Sequence, residues 1–349
     1  MDAKPEGPIN VGGQAVMEGV MMRSPGSLAV VCRSATGELV VKEQEWRSIW
    51  ERLRFLRWPL LRGSVVLIES LVNGMSALSF SAKIQMAGEQ DRDPESPAAD
   101  GPDAAKSPPD LSQVEERAPS MVGVILVSTV LALTLFVGVP HALTALLGFS
   151  SASLGFHLID GVIKATIFVG YIAAIGLMDD IKRVFMYHGA EHKAIYAYES
   201  GAGMTVENAR RQSRYHPRCG TSFLFIVILI SILLFAVALR FTIFDNRILD
   251  HVAKVFIKIP LLFPVAGISY EVLKLSARFQ KNLVVRALIA PGIWLQRITT
   301  REPTDDQLEV ALLAIEKTLW REQLDPEEPA PKRDIEVFPS FDEARAVLG

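Results

Sequence analysis

The feature that most constrains this chain is a run of nineteen residues without a charge, residues 121–139 (MVGVILVSTVLALTLFVGV). At about 1.5 Å rise per residue, a helix over this run is roughly 28 Å long, which matches the hydrocarbon thickness of a bilayer. The run therefore predicts a transmembrane helix.

Three further segments are apolar enough to span. Residues 222–244 are interrupted only by Arg240, whose long side chain can reach the headgroups from near one end of the helix. Residues 157–178 and 251–275 carry charged residues, among them Asp160, Lys164, Lys254, Lys258 and Glu271. We expect these two helices to line the bundle interior with their polar faces, or to lie partly at the interface.

Composition supports a membrane protein and excludes several other classes. Half of the residues are hydrophobic and 21% are charged, which is too apolar for a disordered chain. The 36 lysines and arginines nearly balance the 39 acidic residues, so no global charge favours nucleic acid. Two distant cysteines, Cys32 and Cys219, make neither a disulfide scaffold nor a CxxC motif. The amino terminus lacks the apolar core of a secretory signal, so membrane entry is expected from internal segments.

Basic residues are unevenly distributed among the connections. Residues 140–156 contain no lysine or arginine, whereas residues 179–221 contain seven. Because basic connections stay in the cytoplasm, we expect both termini and the 179–221 loop to be cytoplasmic in a multi-pass protein of the inner (plasma) membrane.

A fifth apolar stretch, residues 63–82, is less easily assigned. It contains Glu69, Asn73, five serines and two glycines, which makes it a poor lipid-facing span. We expect an interfacial or re-entrant helix, or one packed against the bundle. If it spans instead, the first sixty residues change sides.

The pattern thus predicts a mainly α fold, a polytopic helical membrane protein with about four transmembrane helices, a small N-terminal α+β cytoplasmic part and a C-terminal amphipathic helix. Residues 1–87 should form a hairpin (27–33 and 38–42 around SATG), an arginine-rich headgroup-binding helix over 46–58 and the interfacial segment. Residues 88–120 read as a disordered, acidic, proline-rich linker. Residues 121–300 form the transmembrane domain, and 301–349 the C-terminal cytoplasmic helices.

Two capping boxes mark helix starts in the C-terminal part, Thr304 with Gln307 and Ser340 with Glu343. The first opens a helix over 304–321 with apolar residues at helical spacing. We expect its apolar face to dock, and a membrane-protein partner or a second copy of the chain is a candidate for that face.

The sharpest chemical signal is the order H-x-x-E-H in MYHGAEHKAIYAYESG. On a helix His188, Glu191 and His192 leave one face at i, i+3 and i+4. Two imidazoles so placed can share a metal ion, and the carboxylate can act as general base on water, as in inverted zinc-protease motifs. The alternative is an interfacial polar network without metal.

His216 and Cys219 follow in YHPRCGTSF, just before a predicted span, and offer the nitrogen and sulfur ligands that zinc accepts. Four ligands from both pairs would describe a structural site, and three plus water a catalytic one. Glu199 and Glu207 are competing oxygen donors, and Cys219 could equally be a small buried side chain at a helix start.

A second motif, NVGGQAVMEGVMMRSPGS over 10–27, combines paired glycines with Glu18 and Arg23. Its glycines permit close backbone approach, but the order of a phosphate loop is missing. We expect a tight turn packed against the membrane domain, with Glu18 as an alternative fourth ligand or proton carrier. Glu69 and Glu271 are further candidates, whose alternative is pairing with Arg62 and Lys274.

The chain resembles the YqhQ-like family, the domain of unknown function 1385, over about residues 10–85 and 120–320. The resemblance rests on the motifs above and on three further segments, RGSVVLIESLVNGMSAL, PVAGISYEVLKLSAR and APGIWLQRITTREP. The resemblance implies a bacterial multi-pass membrane protein of a type labelled predicted metal-dependent enzymes. The family's motifs fall on three groups of residues here: His188, Glu191 and His192; His216, Pro217, Arg218 and Cys219; Met17, Glu18 and Gly19.

The preferred interpretation is a cytoplasm-facing zinc site of a metal-dependent hydrolase acting on a membrane-associated amide or ester. His188, His192 and either His216 or Cys219 would be ligands, and Glu191 the general base. The rival is a non-enzymatic membrane scaffold in which the same residues form a structural metal site or a polar network. A transporter using Asp160, Lys164 and Glu271 is a third reading, weakened by the lack of an inverted repeat.

Overall fold

The computed structural model describes residues 9–90, 121–201, 203–279, 282–324 and 335–348. The strands are β1 (Gly12–Val16), β2 (Gly19–Arg23), β3 (Ser27–Arg33), β4 (Leu39–Glu45) and β5 (Glu336–Phe338). The helices are α1 (Leu61–Gln90), α2 (Met121–Leu133), α3 (Val139–Leu146), α4 (Leu154–Ile175), α5 (Asp179–Glu199), α6 (Val206–Arg211), α7 (Gly220–Ala238), α8 (Arg247–Arg278), α9 (Leu283–Thr299), α10 (Asp305–Gln323) and α11 (Phe341–Leu348). The predicted linker over 88–120 falls almost wholly outside the described residues.

The five strands form one antiparallel sheet in the order β1-β2-β3-β4-β5. β3 and β4 are the predicted hairpin, with Val31 opposite Val41. The tight turn predicted over 10–27 is wrong for most of that segment, because its backbone pairs as β1 and β2, and Val20 lies opposite Val31. β5 comes from the C-terminal part and pairs with β4, so the two ends of the chain build one unit.

Both faces of the sheet are covered. Alternate side chains of β3 point to opposite faces, so Val31 joins a core with α5 and α10, and Val30 joins one with Ala77 and Phe80 of α1. A strand buried on both faces favours apolar residues at successive positions, which explains the unbroken apolar run LAVVC over residues 28–32.

Helix α10 is the centre of the larger core. Its capping box is formed as predicted, and its apolar residues are buried, among them Leu308, Leu312, Ile315 and Leu319. They pack on the chain's own sheet and on α5. The prediction of a partner-binding face on this helix is therefore wrong, because the sheet already covers it.

In the part of the chain that the structure describes, five helical segments are long and apolar enough to cross a membrane: Leu61–Gly88, Gly123–Leu146, Leu154–Ile175, Gly220–Ala238 and Arg247–Ser276. The last four match the four predicted spans. Only 11% to 33% of their most apolar windows is buried within the protein, which leaves their apolar side chains for lipid. The chain is thus a mainly α-helical protein with helices fit for a bilayer.

Helix α1 differs from the other four. Its start packs on α8, where Gly63 lies against Gly267, and its second half lies under the sheet through Ala77, Phe80 and Ile84. It is one unbroken helix, so the re-entrant form of the prediction is wrong, and packing against the bundle is what the structure shows.

The sheet also limits the number of crossings. An open strand ladder does not pass through hydrocarbon, so β4 and β5 lie on one side of the membrane. The number of crossings between them is therefore even, and the five candidates cannot all cross. The second half of α1 is covered by the sheet, whereas its start packs on α8.

A polar network is buried between α3, α4 and α8. The Lys258 ammonium donates to Asp160 at 3.1 Å and to His141 Nδ1 at 3.1 Å, and Lys164 lies 3.4 Å from Asp160. Lys258 is fully buried. The charged residues of both less apolar spans thus face the interior, as their sequence predicts.

Two flanking predictions have different outcomes. The helix predicted over 46–58 is wrong, because the chain there forms two short 3-10 helices, Ile49–Glu51 and Arg54–Arg57. The Ser48 hydroxyl and the Ile49 amide donate to the Glu69 carboxylate, and these hydrogen bonds attach the segment to α1. The second cap is confirmed, since the Glu343 amide donates to Ser340 Oγ at the start of α11.

Candidate metal site

Helix α5 presents His188, Glu191 and His192 on one face, as the i, i+3, i+4 spacing predicts. The ring of His188 donates from Nδ1 to the carbonyl of Thr299 at 2.8 Å, and His192 donates from Nδ1 to the carbonyl of Arg214 at 2.5 Å. A carbonyl only accepts, so both rings carry their proton on Nδ1 and leave Nε2 with a free lone pair. Metal-binding histidines are oriented in this way by their outer partners.

Both Nε2 atoms are directed toward one sulfur. His188 Nε2 lies 3.1 Å from Cys219 Sγ, and His192 Nε2 is buried without a hydrogen-bond partner. The ligand atoms of His188, His192 and Cys219 all lie within 4.8 Å of one another. Two nitrogens and one sulfur thus converge on one point, with a lone pair that no protein donor satisfies.

Cys219 reaches this point because it caps helix α7. Its sulfur accepts from the amide of Thr221 at 3.5 Å, and its side chain is 7% exposed. The β-region backbone of the cap turns the chain from the YHPR segment into the helix. The start of α7 therefore brings Cys219 next to His188, although 31 positions separate them in the sequence.

Glu191 lies beside the triad and is buried. The backbone amide of Gly13 donates to its carboxylate, and burial raises the pKa of that carboxyl group. A Cβ on Gly13 would lie 2.9 Å from Glu191 Cγ and 2.9 Å from Oε1, so only glycine fits there. Gly13 thus serves the close backbone approach that the sequence suggests, whereas nothing lies within 4 Å of a Cβ placed on Gly12.

His216 lies next to the triad and outside it. Its Nδ1 accepts from the Arg218 amide at 3.3 Å, and its Nε2 is 3.8 Å from Glu199. The side-chain amide of Gln296, on α9, forms two hydrogen bonds with the His216 backbone. It accepts from the His216 amide at 2.7 Å and donates to the His216 carbonyl at 2.8 Å. Burial lowers the pKa of both His192 and His216, which favours neutral imidazole.

The other candidate residues have partners elsewhere. Glu18 pairs with Arg183, Glu199 with Arg218, Glu207 with Arg210 and Arg211, and Glu271 with Arg62. Glu69 accepts from Ser48 and Ile49, and the Arg23 guanidinium stacks 4.4 Å from the Trp46 ring. Among the described residues, none of them belongs to the triad's group of ligand atoms.

His188, Cys219 and Glu191 line a cavity of about 600 Å³ between α1, α5, α7 and α8. Most of the other lining is apolar, including Val66, Leu71 and Leu224. A group bound by the triad would therefore face an open space toward the membrane helices.

Sequence reasoning missed the residues that hold this site together. Thr299 and Arg214 act through backbone carbonyls and Gln296 through its amide, so no side-chain pattern announces them. Gly13 left a signal, the GG pair, but nothing in the sequence connects it with a residue 178 positions later.

Comparisons with known proteins identify a family model and a relative of the chain. Residues 58–321 match the family model described as "Protein of unknown function (DUF1385)". The chain belongs to this family. It is 32% identical over 336 residues to "Uncharacterized protein YqhQ" of Bacillus subtilis (strain 168), which covers 93% of this chain and 96% of that protein. No solved structure matches the chain.

Proposed function

We propose that the chain is a zinc-dependent hydrolase of the inner membrane, with His188, His192 and Cys219 as ligands. The observation that carries the proposal is the unpartnered, buried Nε2 of His192, which lies beside Cys219 while Nδ1 is held by a carbonyl. An unsatisfied buried nitrogen is costly. Binding of a cation would remove that cost.

The donor set favours zinc. Imidazole and thiolate together suit zinc among common divalent ions, whereas magnesium and calcium take oxygen ligands. Three protein ligands are the number in catalytic zinc sites, and two of the three proposed ligands, His188 and Cys219, line the cavity. A zinc ion held there supplies a Lewis acid that polarises a carbonyl and makes nearby water more acidic.

Glu191 supplies the proton transfer. Its carboxylate lines the same cavity as His188 and Cys219, and the Gly13 amide fixes its position. In hydrolysis of an amide or ester, the oxygen of water adds to the carbonyl carbon and the bond to the leaving nitrogen or oxygen breaks. Glu191 takes the proton from water and returns it to the leaving group.

The rival scaffold proposal also has one observation in its favour. At 3.1 Å, His188 Nε2 and Cys219 Sγ can form a hydrogen bond without any metal, which would make the cluster a polar clasp between α5 and α7. The two proposals differ at Glu191, which a clasp does not need.

Cobalt substitution separates them. The proposed site predicts a thiolate-to-cobalt charge-transfer band that disappears in Cys219→Ser, and visible bands that change with pH as the fourth ligand ionises. Glu191→Gln should keep the charge-transfer band, alter the pH-dependent change and abolish hydrolysis. A pH-independent spectrum with full activity in Glu191→Gln would contradict the hydrolase.

The proposed orientation places both termini, the sheet and the triad in the cytoplasm. The seven basic residues of 179–221 lie in the unit that carries the site, and 140–156 has none.

A further inference from the structure

The apolar cavity beside the triad is continuous with the surface that faces lipid. Leu71 of α1 and Leu224 of α7 both line it, and they are 59% and 41% exposed. Both helices are apolar enough to contact a bilayer. Most of the lining is apolar, so an acyl chain that enters from the membrane meets mainly hydrocarbon side chains.

A second cavity of about 590 Å³ adjoins the first and has a different lining. Arg23, Ser48, Glu69 and Asn73 contribute to it, together with the aromatic rings of Trp46 and Trp50. The two cavities share the residues between them, Gly13, Gln14, Ser70, Arg218 and Tyr270. The first space is thus largely apolar, whereas the second has a mixed lining with charged and amide side chains beside aromatic rings, and Gly13, which contacts Glu191, lies on their boundary.

We propose that the substrate is a membrane amphiphile with an acyl chain, whose chain fills the apolar cavity and whose polar head occupies the adjoining one. The bond to be cleaved then lies near Glu191 and the triad, at the boundary. Each cavity has the volume of an ordinary ligand site. This inference rests on the proposed function for the cleavage step, but chain binding can be tested without it.

The probe is a phosphatidylcholine with a photoreactive diazirine near the end of its palmitoyl chain, in proteoliposomes of the full-length protein. After irradiation, labelled residues are mapped by mass spectrometry. We expect labelling at Phe223 and Leu224 to exceed that at Leu233 and Val237, which lie on the same helix away from the cavity, by at least several-fold.

Two matched variants on α1 test the cavity itself. Val66→Trp fills it, because Val66 lines it, and should reduce labelling at Phe223 and Leu224 several-fold. Val72→Trp makes the same change at a residue that is 62% exposed and outside the cavity lining, and should leave labelling unchanged. Leu224→Trp is a second blocking variant if Val66→Trp does not fold.

Equal labelling along α7 in the wild type, or equal labelling in both α1 variants, would overturn the amphiphile inference. Zinc content and the activity of Glu191→Gln test the hydrolase proposal separately from the labelling, which tests the amphiphile inference. Concentrated labelling in a protein that binds no zinc would contradict the hydrolase alone, and a zinc protein with unselective labelling would contradict the amphiphile alone.

Discussion

The backbone amide of Gly13 donates a hydrogen bond to the carboxylate of Glu191, and a side chain at Gly13 would overlap it. The N-terminal sheet thereby positions the residue proposed as general base, while α5 positions His188 and His192 and the start of α7 positions Cys219. Assembly of the sheet is thus a condition for the complete site.

Gly13→Ala tests this relationship. The new Cβ would lie 2.7 Å from Met22 Sδ and 2.9 Å from Glu191 Cγ, so the carboxylate must move. Because displacement by about 1 Å can cost about 100-fold in rate, we expect hydrolysis to fall by about that factor while zinc stays bound. The control is Gly12→Ala, where nothing lies within 4 Å of the added carbon. Equal activities of the two variants would refute a positioning role.

The Glu191 carboxyl group gives the unfolding free energy a pH dependence. Burial raises its pKa in the folded state. Below the ordinary value of about 4.3 both states are protonated, and above it the unfolded state loses its proton first, so folding becomes less favourable as pH rises. In metal-free protein, Glu191→Gln should therefore raise the unfolding temperature at pH 8 and have little effect near pH 4. A lower unfolding temperature of Glu191→Gln at pH 8 would show that the buried Glu191 carboxyl group does not reduce the stability of the folded protein at that pH.

Asp160 is the counter-ion of the buried lysines. Asp160→Ala leaves Lys258 and Lys164 without their carboxylate, and loss of one partner of a buried pair costs about 3–5 kcal/mol. We expect the unfolding temperature in detergent to fall strongly. Asp179→Ala removes the carboxylate of an exposed pair with Lys182 and should change it little. Similar effects of both variants would mean that the network is hydrated.

The sheet predicts where the two ends of the chain lie. Thr36 follows β3, and Asp342 lies in the first turn of α11, so cysteines at both positions should react with a membrane-impermeant maleimide from the same side. Leu147→Cys, in the connection between α3 and α4, should react from the other side. The native cysteines are buried and provide a low background. Labelling of Thr36→Cys and Asp342→Cys from opposite sides would show an odd number of crossings and would contradict the pairing of β4 with β5.

How much of this could be predicted depended on whether the signal was local. The spans and the caps at Thr304 and Ser340 follow from patterns within one segment, and the structure has them. The histidine spacing likewise fixes one face of α5. β5 could not be predicted, because its pairing with β4 joins residues almost 300 positions apart.

The choice between His216 and Cys219 was beyond sequence for a similar reason. Both are zinc ligands by chemistry, and three positions separate them. What divides them is Gln296, which holds the backbone of His216, and the N-terminus of α7, which turns Cys219 toward the histidines. These contacts are tertiary. The apolar face of α10 shows the same limit. Its sequence predicts that the face packs against something, but the pattern is the same whether that surface belongs to another protein or to the chain's own sheet.

The most direct test of the zinc site is elemental analysis of detergent-purified protein. The account predicts one zinc per wild-type chain, loss of zinc in His188→Ala and His192→Ala, and retention in His216→Ala, whose ring lies outside the triad. Wild-type protein without zinc, or His188→Ala with an undiminished content, would contradict it.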